Sequence, residues 1–212
     1  TGTVDAGTVT EFKGSLAALL IAYGSNGITG LDNENIVLID TSVSVTDLNT
    51  LDGYTSGTIN AASVTDISGP ISLLNTAYSS QGIINLGTNI TVTDTTSNIS
   101  DINLLDNLSS GVINAATIST FIGNSASTTT LYESALSSVS SESDGLINLG
   151  DEVIILSDAN IDASTLIEVA NSSNGNIHVS DLVDIQGSIT SLNSLYGTHT
   201  HIKGLGNESL TI

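Results

Sequence analysis

The chain has 212 residues, 39% of them hydrophobic, and sets 22 acidic side chains against two basic ones, Lys13 and Lys203, for a formal net charge of −20. Such a surface repels phosphate backbones and anionic bilayers, so neither nucleic-acid binding through a basic patch nor electrostatic docking on a membrane is expected. Cysteine is absent, which removes disulfides and thiolate metal sites, and no apolar run reaches the length of about 18 residues that a membrane-spanning helix needs.

Read from its start, the chain repeats itself. Thr3–Gly14 (TVDAGTVTEFKG) returns as Thr58–Gly69 (TINAASVTDISG), Val112–Gly123 (VINAATISTFIG) and Asn176–Gly187 (NIHVSDLVDIQG). Each is a short apolar strand, a small polar turn, an apolar pair and a glycine. After each glycine comes a stretch ending in tyrosine, at Tyr23, Tyr78, Tyr132 and Tyr196, although the chain holds only five tyrosines. A connector with a leucine follows (Leu31, Leu86, Leu149, Leu205), and then a strand closing on aspartate at Asp40, Asp94 and Asp158. The intervals from Tyr23 to Tyr78 and from Tyr78 to Tyr132 are nearly equal, and the one from Tyr132 to Tyr196 is longer. The extra length falls in Glu133–Asp144, a serine-rich insertion expected to form a surface loop. The units run about 1–57, 58–111, 112–175 and 176–212, as one continuous array. Both ends cut the pattern within a unit, and the expectation is a piece of a longer array.

The predicted elements alternate. Leu16–Tyr23 is apolar and ends on the recurring tyrosine. Ile36–Asp40 reads as a strand buried on both faces. Ser44–Asp47 has the form of a capping box, with Val45, Leu48 and Leu51 at helical spacing before Gly53. A short strand at Thr58–Ala61 is followed by a second capping-box form, Ser63–Asp66. Pro70 then suits the first turn of a helix carrying Ile71, Leu74, Ala77 and Tyr78 on one face. Ile90–Asp94 alternates and buries one face, and Ile99, Ile102 and Leu105 return to helical spacing. Strand–helix alternation at constant period predicts an α/β fold, a right-handed parallel solenoid of about four repeats of about 55 residues. The alternative is an all-β solenoid, against which the helical spacing counts.

The segments VTDLNTLDGYTSGTINAASVTDISG and LLNTAYSSQGI…LG…ITVTD resemble the tandem repeats of very large secreted and cell-surface proteins of marine picocyanobacteria, with similar repeats in fibre-like proteins of their phages. The resemblance covers nearly the whole chain, is strongest over Ser42–Asp94 and departs at Asn124–Asp144. It implies an extracellular structural or adhesive module without enzymatic activity, and it brings no catalytic residues.

Candidate chemistry is sparse. Asp40, Asp94 and Asp158 recur at one position and are candidates for weak calcium ligation; the competing role is capping of the following turn through backbone N–H groups. No calcium-loop motif accompanies them, and no other cofactor is expected. His199 and His201 could place two imidazoles on one strand face, whereas His178 stands where Asp5, Asn60 and Asn114 stand in other repeats, as one member of a polar ladder. Asn60 and Asn114 suit an asparagine ladder. No nucleophile elbow, phosphate loop or dinucleotide fingerprint is present. The expected function is a non-enzymatic structural segment of an extracellular assembly such as a surface layer, filament or giant surface protein. The alternative is an adhesin or phage-fibre-type module binding glycan or a cell surface. The expected partners are further repeats of the same polypeptide, or a second copy stacked head to tail.

Overall fold

A computed structural model describes residues 2–87, 89–138, with side chains to 136, and 145–212. Among these, seven helices alternate with short strands: α1 Leu16–Tyr23, α2 Val45–Asp52, α3 Ile71–Ser79, α4 Ile99–Leu108, α5 Ser125–Ser138, α6 Ala163–Ser172 and α7 Ile189–Thr198. The class is therefore α/β with parallel pairing. The chain forms two compact units, Thr1–Thr93 with Asn107–Asn114, and Asp94–Asp106 with Ala115–Ile212.

The first unit holds three parallel ladders. Val4–Asp5 pairs with Ile28–Thr29. Glu11–Gly14, Asn35–Leu38, Ile59–Asn60 and Ile83–Ile84 form the second. Ser42–Ser44, Asp66–Gly69, Asn89–Val92 and Val112–Asn114 form the third. Isoleucine faces isoleucine along them: Ile36, Ile59 and Ile83 in one row, Ile67, Ile90 and Ile113 in another, none more than 7% exposed. Branched side chains stacked in register fill a shallow core without aromatic bulk. α1, α2 and α3 pack side by side over it, with Val45, Leu48 and Leu51 of α2 fully buried at helical spacing.

The second unit repeats the scheme. Thr96–Asn98, Thr120–Gly123, Val153–Leu156, Ile177–His178 and Ile202–Lys203 make one ladder. Asn160–Asp162, Asp184–Gln186 and Ser209–Thr211 make another. Phe121, Ile154 and Ile177 are fully buried in the first, and α5, α6 and α7 pack in succession.

Ladder and helix keep different steps. Phe12 faces Ile36, Ile36 faces Ile59 and Ile59 faces Ile83. The helices that start at Leu16, Val45 and Ile71 are spaced more widely than these partners. A ladder that begins just before α2, at Ser42–Ser44, thus reaches its last strand in this unit after α4, at Val112–Asn114. A fresh ladder opens at Thr96–Asn98. The chain passes from Asp66 to its ladder partner Asn89, advances a short way to Thr96, and from there steps to Thr120 along the next ladder. Each half of a full repeat consequently holds two or three short strands and a helix, not one strand and one helix.

Several local expectations are corrected. Ser44 precedes α2 but makes no side-chain cap. Ser63–Asp66 starts no helix: Asp66 opens a strand, and the Thr65 hydroxyl donates to the Thr41 carbonyl at 3.0 Å. Ile39 is 51% exposed, so the strand at Asn35–Leu38 alternates rather than burying both faces. The first part of the insertion, Glu133–Ser138, lengthens α5; its remainder lies outside the described residues. Asn60 Oδ1 accepts the Ala62 N–H at 3.1 Å, a local turn, and its side-chain partner is Asn85 at 3.2 Å rather than Asn114.

In three of the four first-half strands the closing glycine meets the start of a helix. A Cβ on Gly69 would lie 2.3 Å from Val45 Cγ1, one on Gly123 2.9 Å from Ile99 Cβ, and one on Gly187 3.1 Å from Ala163 Cβ. Val45, Ile99 and Ala163 are the first residues of α2, α4 and α6. The strand passes against the start of the helix before it, leaving no room for a Cβ at Gly69 or Gly123 and a tight fit at Gly187.

Candidate functional site

The recurring tyrosines lead to a second recurring residue. Tyr23 Oη donates to Glu34 Oε2 at 3.0 Å, Tyr132 Oη donates to Glu152 Oε2 at 3.1 Å, and Tyr196 Oη donates to Glu208 Oε1. Each carboxylate also accepts a backbone N–H from two residues earlier: Asp32 at 3.1 Å, Gly150 at 2.9 Å and Gly206 at 2.8 Å. Glu34 is 0% exposed and Glu152 is 3% exposed. A buried carboxylate is costly unless several donors converge on it; a phenol and an amide reach each one, both of them at Oε2 of Glu34, whose Oε1 is buried without a protein partner. Burial pushes the Tyr23 phenol up to about 12, and the hydrogen bond to Glu34 acts in the same direction. Burial raises Tyr78 and Tyr132 as well.

A hydroxyl completes the junctions at Glu34 and Glu152. Thr55 Oγ1 donates to the Glu34 carbonyl at 2.8 Å and accepts the Gly57 N–H at 3.0 Å. Ser173 Oγ donates to the Gly150 carbonyl at 3.5 Å and accepts the Gly175 N–H at 3.0 Å. The glutamates were legible as Leu-x-x-Glu in three of the four connectors, Leu31–Glu34, Leu149–Glu152 and Leu205–Glu208. The second connector hides the pattern, because Leu86 to Ile90 is one residue shorter than Leu31 to Ile36 and has no glutamate. There Tyr78 Oη donates to the Gly87 carbonyl at 2.5 Å instead. A pocket of about 210 Å³ remains, lined by Tyr78, Leu86, Gly87, Leu108 and Ser109 among others. Ser109 Oγ, the counterpart of Thr55 Oγ1, is buried without a hydrogen-bond partner.

Two of the recurring aspartates act on helices. Asp40 Oδ2 accepts the Leu16 N–H at 2.8 Å, at the start of α1. Asp158 Oδ2 accepts the Ser125 N–H at 2.7 Å, and Asp158 Oδ1 accepts the Ser125 hydroxyl at 3.0 Å, at the start of α5. This is capping, but of the helix one ladder step earlier in the chain, not of the following turn. Asp94 is also engaged. Among the described residues no three His, Cys, Asp or Glu side chains converge as a metal-holding group. Amides do similar joining work: Asn49 Nδ2 donates to the Leu73 carbonyl at 2.9 Å, and Asn103 Nδ2 donates to the Ser127 carbonyl at 3.0 Å.

The His199 and His201 rings lie edge to face, 6.1 Å between centroids, and His201 Nε2 bonds the Ala170 carbonyl at 3.0 Å. His178 is exposed and faces Lys203 across its ladder. Three of the seven aromatics gather in the first unit. Tyr23 and Tyr54 stack at 5.9 Å with 2° between their planes, and Phe12 meets Tyr23 edge-on at 6.2 Å. Tyr54 is 44% exposed, whereas Phe121, the repeat counterpart of Phe12, is fully buried.

Comparison with family models, with curated proteins and with solved structures returns no match. No described helix is long and apolar enough to cross a membrane.

Proposed function

We propose that this chain is a non-enzymatic structural segment of an extracellular assembly, such as a surface layer, filament or giant surface protein. Its repeats, four of about 55 residues, build a right-handed parallel solenoid. One observation carries the reading: the polar side chains that recur are engaged in joining one strand–helix turn to the next. Asp40 and Asp158 cap an earlier helix, Asn49 and Asn103 bond the following helix, and Glu34 and Glu152 anchor the tyrosines.

The proposed partner is a further repeat, of the same polypeptide or of a second copy stacked head to tail. Leu210, 51% exposed, occupies the repeat position of Ile36, Ile90 and Ile154, which are at most 1% exposed, and is the place to probe such stacking. Its strand, Ser209–Thr211, is hydrogen-bonded to Asp184–Gln186 and stands at the edge of its ladder. Edges of this kind pair with other chains. Sedimentation over a range of concentrations should show association of this chain that weakens in Leu210→Lys. A monomer at every concentration, with Leu210→Lys indistinguishable, rejects the head-to-tail partner.

A second reading, an adhesin or fibre-type module that binds glycan, is favoured by the Phe12–Tyr23–Tyr54 cluster. A flat, partly exposed ring offers the apolar face on which a sugar ring packs. Titration with neutral oligosaccharides should perturb tyrosine fluorescence in this chain and not in Tyr54→Ala. No response to any of a broad panel removes this reading.

A further inference from the structure

We propose that the pocket at Tyr78 and Ser109 is a binding site for a short alkyl carboxylate, the group that a glutamate side chain supplies in the other repeats. The molecule contains its own comparison. At Tyr23 and at Tyr132 the same junction is filled by Glu34 and Glu152, whose carboxylates take the phenol and a backbone N–H. In the second repeat the phenol, the hydroxyl and the connector remain, and the glutamate is missing from the sequence. What is left is a pocket of about 210 Å³ containing a buried serine oxygen without a partner.

The donors suit a carboxylate. Ser109 Oγ has a proton to give and no acceptor within the protein. Tyr78 Oη needs only to turn from the Gly87 carbonyl to make the bond that Tyr23 and Tyr132 make. Gly87 holds the connector position of Asp32 and Gly150, whose N–H groups donate to the glutamates. Leu86 and Leu108 line the same pocket and would cover the alkyl end. Propionate is the glutamate side chain released from its backbone, so it is the ligand of matched shape. The net charge of −20 opposes any anion, which sets the expected affinity in the millimolar range and makes it improve with added inert salt.

The test is thermal unfolding in sodium propionate against sodium chloride of equal ionic strength, with propionamide as the uncharged isostere. At tenfold over its dissociation constant, propionate should raise the melting temperature by roughly 3–6 °C beyond chloride. Ser109→Ala and Tyr78→Phe each remove one donor and should lower the affinity at least several-fold. A variant with one glutamate inserted between Thr88 and Asn89 should be more stable without ligand and insensitive to propionate. Should that variant fail to fold, the two point variants decide alone. Equal shifts in propionate and chloride, or a propionate effect unchanged in both point variants, overturn the site and leave a hydrated cavity.

Discussion

At Tyr23 and Tyr132 a phenol donates to a carboxylate that is itself out of water, so the carboxylate relies on a proton that the phenol must keep. The consequence is a pH dependence on the alkaline side. The folded Tyr23 phenol is pushed up to about 12, and Tyr78 and Tyr132 are raised also. An unfolded tyrosine ionises near pH 10, so between about pH 10 and 12 the unfolded chain has lost protons that the folded chain keeps. The contribution of these phenols is fully present below pH 10 and is lost as pH rises through the folded values. Urea midpoints should stay level to about pH 9.5 and then fall, and Tyr132→Phe should make that fall shallower. A level profile to about pH 11.5 would contradict the buried junction.

The elements are joined where two of them come closest. Gly69 lies where any Cβ would sit 2.3 Å from Val45 Cγ1 at the start of α2, so Gly69→Ala must shift the strand or the helix. The expected loss is about 1–3 kcal/mol, as for other overpacked contacts. Gly14 has the same repeat position, but its nearest neighbour would be Leu19 Cγ at an ordinary 3.8 Å. Gly14→Ala should therefore be nearly neutral, and equal losses in chemical denaturation of the two variants would count against this contact. At this scale much was legible beforehand. Val45, Leu48 and Leu51, or Ile99, Ile102 and Leu105, mark helices because the spacing of buried residues is a local property. Ser63 misled because serine followed three residues on by aspartate stands before α2 at Ser44 and before a strand at Ser63. Ladder partners were invisible, since alternation at Ile90 and Val92 shows which face is buried and not which strand lies beside it. Glu34 escaped because its pattern fails in one repeat of four.

Over the whole chain, 22 acids meet two lysines, so any divalent cation will weaken self-repulsion without needing a site. Calcium binding at Asp40, Asp94 and Asp158 would add to that nonspecific effect. Asp40 and Asp158 already hold helix N–H groups, which is a sufficient role for each. Calcium at millimolar concentration is therefore expected to move the melting temperature no more than magnesium does, and a chelator to leave it unchanged. A calcium-specific rise, lost in Asp40→Asn, would restore metal binding at these aspartates.

The unequal steps of ladder and helix also govern how such a chain can lengthen. They act as the two scales of a vernier, which realign only after two helices, over the stretch from Asp66 to Thr120. Gaining or losing a stretch of that length gives every strand a neighbour of the kind it already has. Losing α2 or α4 would remove the helix start that Gly69 or Gly123 passes. Lengthening by whole repeats, two helices at a time, keeps each of these contacts.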